Sequence, residues 1–126
     1  MITLRIIMNV RPEKQKEVLQ TLLTLVETPG KKSGCLSYGI YCDIEDENVF
    51  NLISEWENRR HLDHYMGTDR FSVLLGTKSL LCEPLDFRII RYRDAEGIEA
   101  VNSVRKKMKL IATDHEHAHG SKNEIP

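Results

Sequence analysis

The segment that restricts the fold most is an apolar run from Phe50 to Trp56, which ends on the only tryptophan of the chain. The residues before it, from Gly34 to Asp43, alternate between apolar and polar types, as a half-buried β-strand does. Between the two runs, the acidic stretch 45–48 is polar enough to form a turn. We therefore predict an antiparallel hairpin, and with it a fold that contains a sheet.

Two short helices are predicted after this hairpin. Asn58 and Thr68 are residue types that cap helix N-termini, and Gly67 lies where the first helix should end. In both segments apolar residues recur at helical spacing and should face the core: Leu62, Tyr65 and Met66 in the first, and Phe71, Leu74 and Leu75 in the second.

The remaining segments complete one α+β fold. Residues 2–10 alternate as a first strand, and residues 85–93 alternate as a fourth. A helix should run from Pro12 to Pro29-Gly30, with an apolar stripe of Val18, Leu19, Leu22, Leu23, Leu25 and Val26. This order is that of a ferredoxin-like split βαβ unit, a four-stranded antiparallel sheet with helices on one face.

The other face of the sheet would have no helices over it. Its predicted residues include Ile7, Ile53, Ile90 and Tyr92, which are too apolar to be left wholly to water. A second copy of the chain, packed on this face of the sheet, is the simplest way to shield these apolar residues from water. We therefore expect a homodimer.

The composition changes after residue 93. Residues 94–112 place apolar side chains at spacings of three and four, which predicts an amphipathic helical extension. This helix could pack on its own subunit or on the other subunit of a dimer. Residues 113–126 are polar and are expected to be disordered. His115, His117 and His119 alternate in this tail, but we predict no metal site because such a segment fixes no ligand geometry.

Composition and charge argue against several classes of partner. The net charge is -1 and no basic cluster is interleaved with aromatic residues, so we expect no nucleic acid. The apolar runs are too short to cross a membrane, and the first ten residues do not read as a secretory signal. Cys35, Cys42 and Cys82 are then most simply reduced thiols in a cytoplasmic protein.

The stretch SGCLSYGIYCDIEDENVFNLISEWENRRHLDHYMGTDRF, residues 33–71, resembles the antibiotic biosynthesis monooxygenase (ABM) family. The matching features are the alternating strand, the acidic turn, the apolar strand ending in Glu-x-Trp, the short helix and the small-residue turn before a phenylalanine. The resemblance covers residues 1–93 and implies a dimeric α+β barrel. By family, it implies cofactor-independent oxygenation of a small aromatic or quinol-type substrate.

Strand parity points a set of side chains to the helix side of the sheet, where the resemblance places ligand. With Ile6, Met8, Ile40 and Phe87 inside, the same parity brings in Tyr38, Phe50, Leu52, Ser54 and Trp56, and Tyr65 faces them from the short helix. We predict Tyr65 as the acid or base, Trp56 as the wall that sets the shape of the site, and Tyr38 and Ser54 as hydrogen-bond partners. We also expect three apolar side chains to contact the substrate: Phe50, Leu52 and Leu62. Plain core packing is the alternative for each of these residues.

Three positions depart from the patterns of known members. Members that oxidise polyketide anthrones have asparagine and tyrosine where this chain has Leu52 and Leu62, so Trp56 alone matches their pattern. Haem-degrading relatives have their iron ligand at the position of Leu75, and we accordingly predict no haem, no other cofactor and no metal. The competing hypothesis is a non-catalytic dimer that binds a small ligand or acts in a stress or regulatory role.

Overall fold

The computed structural model describes residues 1–26, 33–93 and 95–114. Residues 112–114 are described by their backbone alone. The chain divides into two compact units, Met1–Arg93 and Asp94–Pro126. The first unit contains the elements β1 (Ile2–Asn9), α1 (Gln15–Val26), β2 (Cys35–Cys42), β3 (Val49–Trp56), α2 (Arg59–Met66), α3 (Asp69–Gly76) and β4 (Asp86–Arg91). Short 3₁₀ turns, Pro12–Lys14 and Thr77–Leu80, precede α1 and follow α3.

The four strands form one sheet in the order β2-β3-β1-β4, with every neighbouring pair antiparallel. This arrangement confirms the predicted split βαβ fold. The central strand β1 alternates as expected: Leu4, Ile6 and Met8 are at most 1% exposed and pack in one core with residues of α1, α2 and α3. Burying each such side chain contributes about 1.5–3 kcal/mol, so the helix-side face holds the unit together.

The predicted caps are confirmed. Asn58 Oδ1 accepts a hydrogen bond from the His61 backbone N–H at 3.0 Å, and Thr68 Oγ1 accepts one from the Phe71 backbone N–H at 3.3 Å. Gly67 ends α2. Thr68 Oγ1 also lies 2.6 Å from the carbonyl of Tyr65, which ties the end of α2 to the start of α3. These two short helices are therefore held in a fixed relation beside the sheet.

Several apolar residues predicted to face the core are exposed instead. Leu19 and Leu23 of α1 are 41% and 53% exposed, and Leu75 of α3 is 40% exposed. Each helix buries a narrower stripe than its sequence suggests, namely Val18, Leu22 and Leu25 in α1, and Phe71 and Leu74 in α3. The prediction for Phe87 was also wrong in burial: it has the inward parity, but β4 is an edge strand and leaves it 41% exposed.

The second unit contains one described helix, α4 (Ile98–Asp114). Its bounds are similar to those of the helix predicted within residues 94–112. The apolar residues that recur at spacings of three and four along α4 are all at least half exposed: Ile98, Val101, Val104, Met108 and Ile111. No helix within the described residues is long and apolar enough to span a membrane. The predicted tail with its three histidines lies, from residue 115 onward, outside the described residues.

Candidate functional site

The candidate site is built where β3 ends and α2 packs back on the sheet. Strand alternation buries one side of β3, where Phe50, Leu52, Ser54 and Trp56 are between 0% and 7% exposed. Tyr65 faces these residues from α2 and is 7% exposed. The Asn58 cap starts α2 two residues after Trp56, and this short connection directs Tyr65 back over the strand.

The aromatic rings of this region form a packed cluster. Tyr65 stacks on Trp56, with ring centroids 4.8 Å apart and an interplanar angle of 29°. Phe71 of α3 meets the Tyr65 ring edge-on at 5.3 Å. Each such pair adds about 0.5–1.5 kcal/mol beyond its buried area. The position of the Tyr65 ring is therefore fixed from two sides.

The hydroxyl groups of Tyr38 and Tyr65 lie 2.5 Å apart and share a hydrogen bond in which either oxygen can donate. Tyr38 belongs to the edge strand β2 and is half-buried, whereas Tyr65 is buried. Whichever tyrosine donates, the hydrogen of the accepting hydroxyl is left for another partner. The pair thus places one phenolic donor at the margin of an aromatic core.

Burial keeps both phenols neutral at ordinary pH. It raises the pKa of Tyr65 far above its usual range, and the hydrogen bond to Tyr38 raises it further. Burial also raises the pKa of Tyr38, although its hydrogen bond to Tyr65 acts in the opposite direction. A buried neutral phenol donates hydrogen bonds well but is a poor base, so this environment favours a donor role for Tyr65.

Ser54 and Trp56 bond to each other. The indole Nε1–H donates to Ser54 Oγ at 2.9 Å, and both side chains are at most 2% exposed. Ser54 therefore orients the indole ring, which is a different task from the ligand contact predicted for it. Leu52 and Leu62 are 2% and 0% exposed and supply only apolar surface.

Sequence reasoning missed Arg70 and the role of Gly34. Arg70 Nη1 donates to the Leu25 carbonyl at 3.2 Å, and its charge acts on the pKa of both tyrosines. Gly34 has a φ of +75°, and a Cβ built on it would lie 2.2 Å from the ring of His61. The Gly-Cys pair in the sequence was a usable signal for Gly34, whereas Arg70 becomes visible only when α1 and α3 are placed together.

An open groove lies apart from the residues of the candidate site. It has a volume of about 620 Å³, lies between α3 and β4 and is lined by Leu75, Lys78, Leu81, Cys82, Glu83, Pro84, Leu85 and Phe87. None of the predicted site residues lines this groove, although Phe87, which was predicted to face the core, does. Across residues 1–26, 33–93 and 95–114, no group of three or more His, Cys, Asp or Glu side chains could hold a metal ion.

Comparison with known proteins decides the family. The family model described as antibiotic biosynthesis monooxygenase matches residues 1–74, more than half of the chain. The chain belongs to this ABM family. The match ends within α3, so it includes the tyrosine pair, the aromatic cluster and Arg70.

Individual relatives are distant. YcnE of Bacillus subtilis, named as a monooxygenase candidate, is 29% identical over 87 residues, which are 68% of this chain and 92% of YcnE. The uncharacterised protein sll1783 of Synechocystis is 28% identical over 91 residues, 71% of this chain, and the match spans only 62% of that protein. A crystal structure named antibiotic biosynthesis monooxygenase is 23% identical with a TM-score of 0.67, covering 75% of this chain and 100% of the other. That likeness establishes the fold of the ABM domain.

Proposed function

We propose that this ABM protein is a cofactor-independent monooxygenase that acts on a small aromatic or quinol-type substrate. The observation that carries the proposal is the Tyr38–Tyr65 hydroxyl pair at the margin of a rigid aromatic cluster. Family membership and the monooxygenase name of YcnE agree with this reaction class. The substrate ring would lie against the half-buried Tyr38, because Trp56 and Leu62 are closed to solvent.

In this proposal the protein stabilises a substrate anion. An electron-rich phenol or enol that loses its proton to solvent water can pass an electron to dioxygen, and one oxygen atom then enters the substrate while the other leaves as water. The substrate supplies the electrons, so no separate reductant is needed. The spare hydrogen of the tyrosine pair would bond to the substrate oxyanion in surroundings with little water, where such a bond is strong.

The proposed roles of the predicted residues follow from their places. Tyr65 donates, or holds Tyr38 so that it donates, and Trp56 fixes the Tyr65 ring by stacking. Ser54 fixes Trp56 in turn through the 2.9 Å hydrogen bond. The buried side chains of Phe50, Leu52 and Leu62 would form the apolar floor beneath these groups.

We also propose a homodimer formed through the face of the sheet opposite α1, α2 and α3. Ile7 and Ile53 on this face are half-buried in the protomer, and Ile90 is 39% exposed. Arg5 donates to Asn51 Oδ1 at 2.8 Å, and Arg88 pairs with Asp86 at 3.0 Å, so both of these arginines already have hydrogen-bond partners within the protomer. A face whose arginines are already hydrogen-bonded and whose branched apolar side chains are partly exposed is suited to a second copy.

The three free thiols of Cys35, Cys42 and Cys82 support a cytoplasmic location as a further proposal, since thiols persist in reducing compartments.

A non-catalytic ligand-binding dimer is the second candidate function, and Leu52 and Leu62 favour it. The related positions carry polar groups in members that oxidise anthrones, whereas here both are apolar and buried. A site with fewer polar groups can still bind a flat ligand, but it has fewer ways to direct a reaction.

Oxygen uptake decides between these two functions. Purified protein given substituted hydroquinones or anthrones should consume oxygen at a rate proportional to enzyme, and the rate should persist in the presence of a metal chelator. Heat-inactivated protein is the control for autoxidation of the substrate. A broad substrate panel without enzyme-dependent uptake would reject the oxygenase and favour the binding protein.

A further inference from the structure

Helix α4 presents an apolar stripe that the protomer leaves exposed. Ile98 is 66% exposed, and the other four members, Val101, Val104, Met108 and Ile111, are between 50% and 59% exposed. A rise of about 1.5 Å per residue makes the stripe about 20 Å long. A contiguous exposed apolar surface of this kind marks a site of interaction with a protein or a membrane, whereas single exposed apolar residues do not.

Basic side chains lie along both margins of this stripe. Arg105 comes four residues after Val101 and three before Met108, so it is their neighbour on the helix surface along one margin. Lys107 comes three residues after Val104 and lies along the other margin. Both side chains are exposed. A long basic side chain at such a margin can lay its alkyl stem on apolar surface and keep its charge in water.

The charge of α4 differs from that of the whole chain, which has a net charge of -1. The basic residues of the helix fall within five positions, and the acidic ones lie near its two ends: Arg105, Lys106, Lys107 and Lys109 on the one hand, and Glu99 and Asp114 on the other. The positive charge is therefore concentrated beside the apolar stripe. An apolar face with basic residues at its margins is typical of a helix that binds to an anionic lipid surface.

Three surfaces of a second copy of the chain are less suited to cover the stripe. The groove between α3 and β4 contains one charge of each sign, Lys78 and Glu83, and so offers no net attraction to a basic helix. The acidic segment 43–47 offers negative charge, but Ile44 is its only apolar residue and is too small to cover 20 Å of helix. A second α4, packed stripe to stripe, would bring the Arg105 and Lys107 margins of two copies together, and like charges repel.

We propose that α4 binds to the surface of an anionic lipid bilayer, with its apolar stripe in the headgroup region and with Arg105 and Lys107 against lipid phosphates. A bilayer supplies apolar cover and negative charge along the whole stripe. Such a helix lies in the plane of the membrane surface, so it does not need the length and the uninterrupted apolar sequence of a membrane-spanning helix. The proposal concerns the second unit and is independent of the reaction proposed for the ABM domain.

Flotation of the full chain with lipid vesicles tests the proposal. The protein should float with vesicles of equimolar phosphatidylcholine and phosphatidylglycerol, and far less with vesicles of phosphatidylcholine alone. Raised salt should release it, because salt screens exposed charges. Arg105→Gln and Lys107→Gln should each weaken binding about fivefold, the effect expected of one basic side chain near such a surface.

Two glutamate substitutions on α4 test which face of the helix binds. Met108 and Leu110 are 55% and 59% exposed, and because they are two residues apart they lie on nearly opposite sides of the helix. Met108→Glu and Leu110→Glu change the charge equally, and glutamate is a good helix former at either position. Met108→Glu should weaken vesicle binding at least about tenfold more than Leu110→Glu, since only Met108 would lose burial in the lipid.

Failure to float with the mixed vesicles, equal binding to both kinds of vesicle, or equal losses in the two glutamate variants would overturn the proposal. Sedimentation without vesicles tests a second copy as the occupant of the stripe. A lower assembly mass in Met108→Glu, but not in Leu110→Glu, would make the stripe an interface between copies and reject the membrane. An unchanged mass in both variants, together with selective loss of flotation in Met108→Glu, is the result that we expect.

Discussion

Replacement of Tyr65 by phenylalanine removes one oxygen atom and keeps the ring contacts with Trp56 and Phe71. The structural cost should be small, because a single hydrogen bond contributes about 1 kcal/mol net and the half-buried Tyr38 hydroxyl can turn to water. For a unit the size of Met1–Arg93, that loss lowers the melting temperature by about 4–8 °C. The fold itself should survive.

The effect on turnover should be much larger if the pair stabilises a substrate oxyanion. Removing one preorganised donor typically lowers kcat by about 10²–10³. Oxygen uptake with a saturating quinol or anthrone measures kcat directly, at a temperature well below the melting transition. Tyr41→Phe is the matched control, since Tyr41 is 56% exposed on the other face of the sheet and should keep full activity.

Tyr38→Phe and the double variant test whether the two hydroxyls act as one unit. Both single changes should cost a similar factor in kcat, and the double change should cost little more than either, because each single change already breaks the 2.5 Å bond. Full turnover in Tyr65→Phe, together with the small loss of melting temperature, would refute the assignment. The hydroxyl would then be a core group that serves stability alone.

Three further predictions concern assembly, backbone and pH. Ile53→Asp should convert the proposed dimer to monomer or aggregate in sedimentation at micromolar concentration, because it places a charge in the interface; a monomeric wild type would contradict the dimer. Gly34→Ala should lower the melting temperature strongly, since a φ of +75° costs about 1–2 kcal/mol for an L side chain and the Cβ would meet His61 at 2.2 Å, whereas Gly76→Ala, with open space around it, should not. The raised pKa of Tyr65 adds stability at pH values below its ordinary value of 10.0, and this is lost as pH rises through the higher folded value, so the free energy of unfolding should fall above pH 10.0 and fall less in Tyr65→Phe. Unfolding can be measured by circular dichroism. An equal fall of the free energy of unfolding above pH 10.0 in the wild type and in Tyr65→Phe would contradict this prediction.

Much of the fold was predictable because local signals agreed with one another. The alternation in β1 and β3, the acidic turn between β2 and β3, and the caps Asn58 and Thr68 each report on a few neighbouring residues. These signals do not depend on distant parts of the chain. Their order was sufficient to indicate the split βαβ topology that the sheet order confirms.

The wrong predictions for Leu75 and Phe87 have one physical origin. Leu75 and Phe87 carry the correct helical or strand spacing, yet spacing says nothing about how far a neighbouring element extends over a face. α3 is eight residues long and β4 is at the edge of the sheet, so both apolar side chains lie beyond the cover that the core provides. Together they line the open groove, which periodicity alone counted as interior.

The sequence indicated which residues face the helix side of the sheet, but not which hydrogen bonds those residues form. Parity correctly brought Tyr38, Ser54, Trp56 and Tyr65 to one side of the sheet, since that requires only the period of two and the position of α2. Which hydroxyl meets which partner depends on angstrom-scale distances across β2, β3 and α2. That geometry pairs Ser54 with Trp56 and Tyr38 with Tyr65, and it is for this reason that we propose the tyrosine pair, at the half-buried edge strand, as the group that meets a ligand.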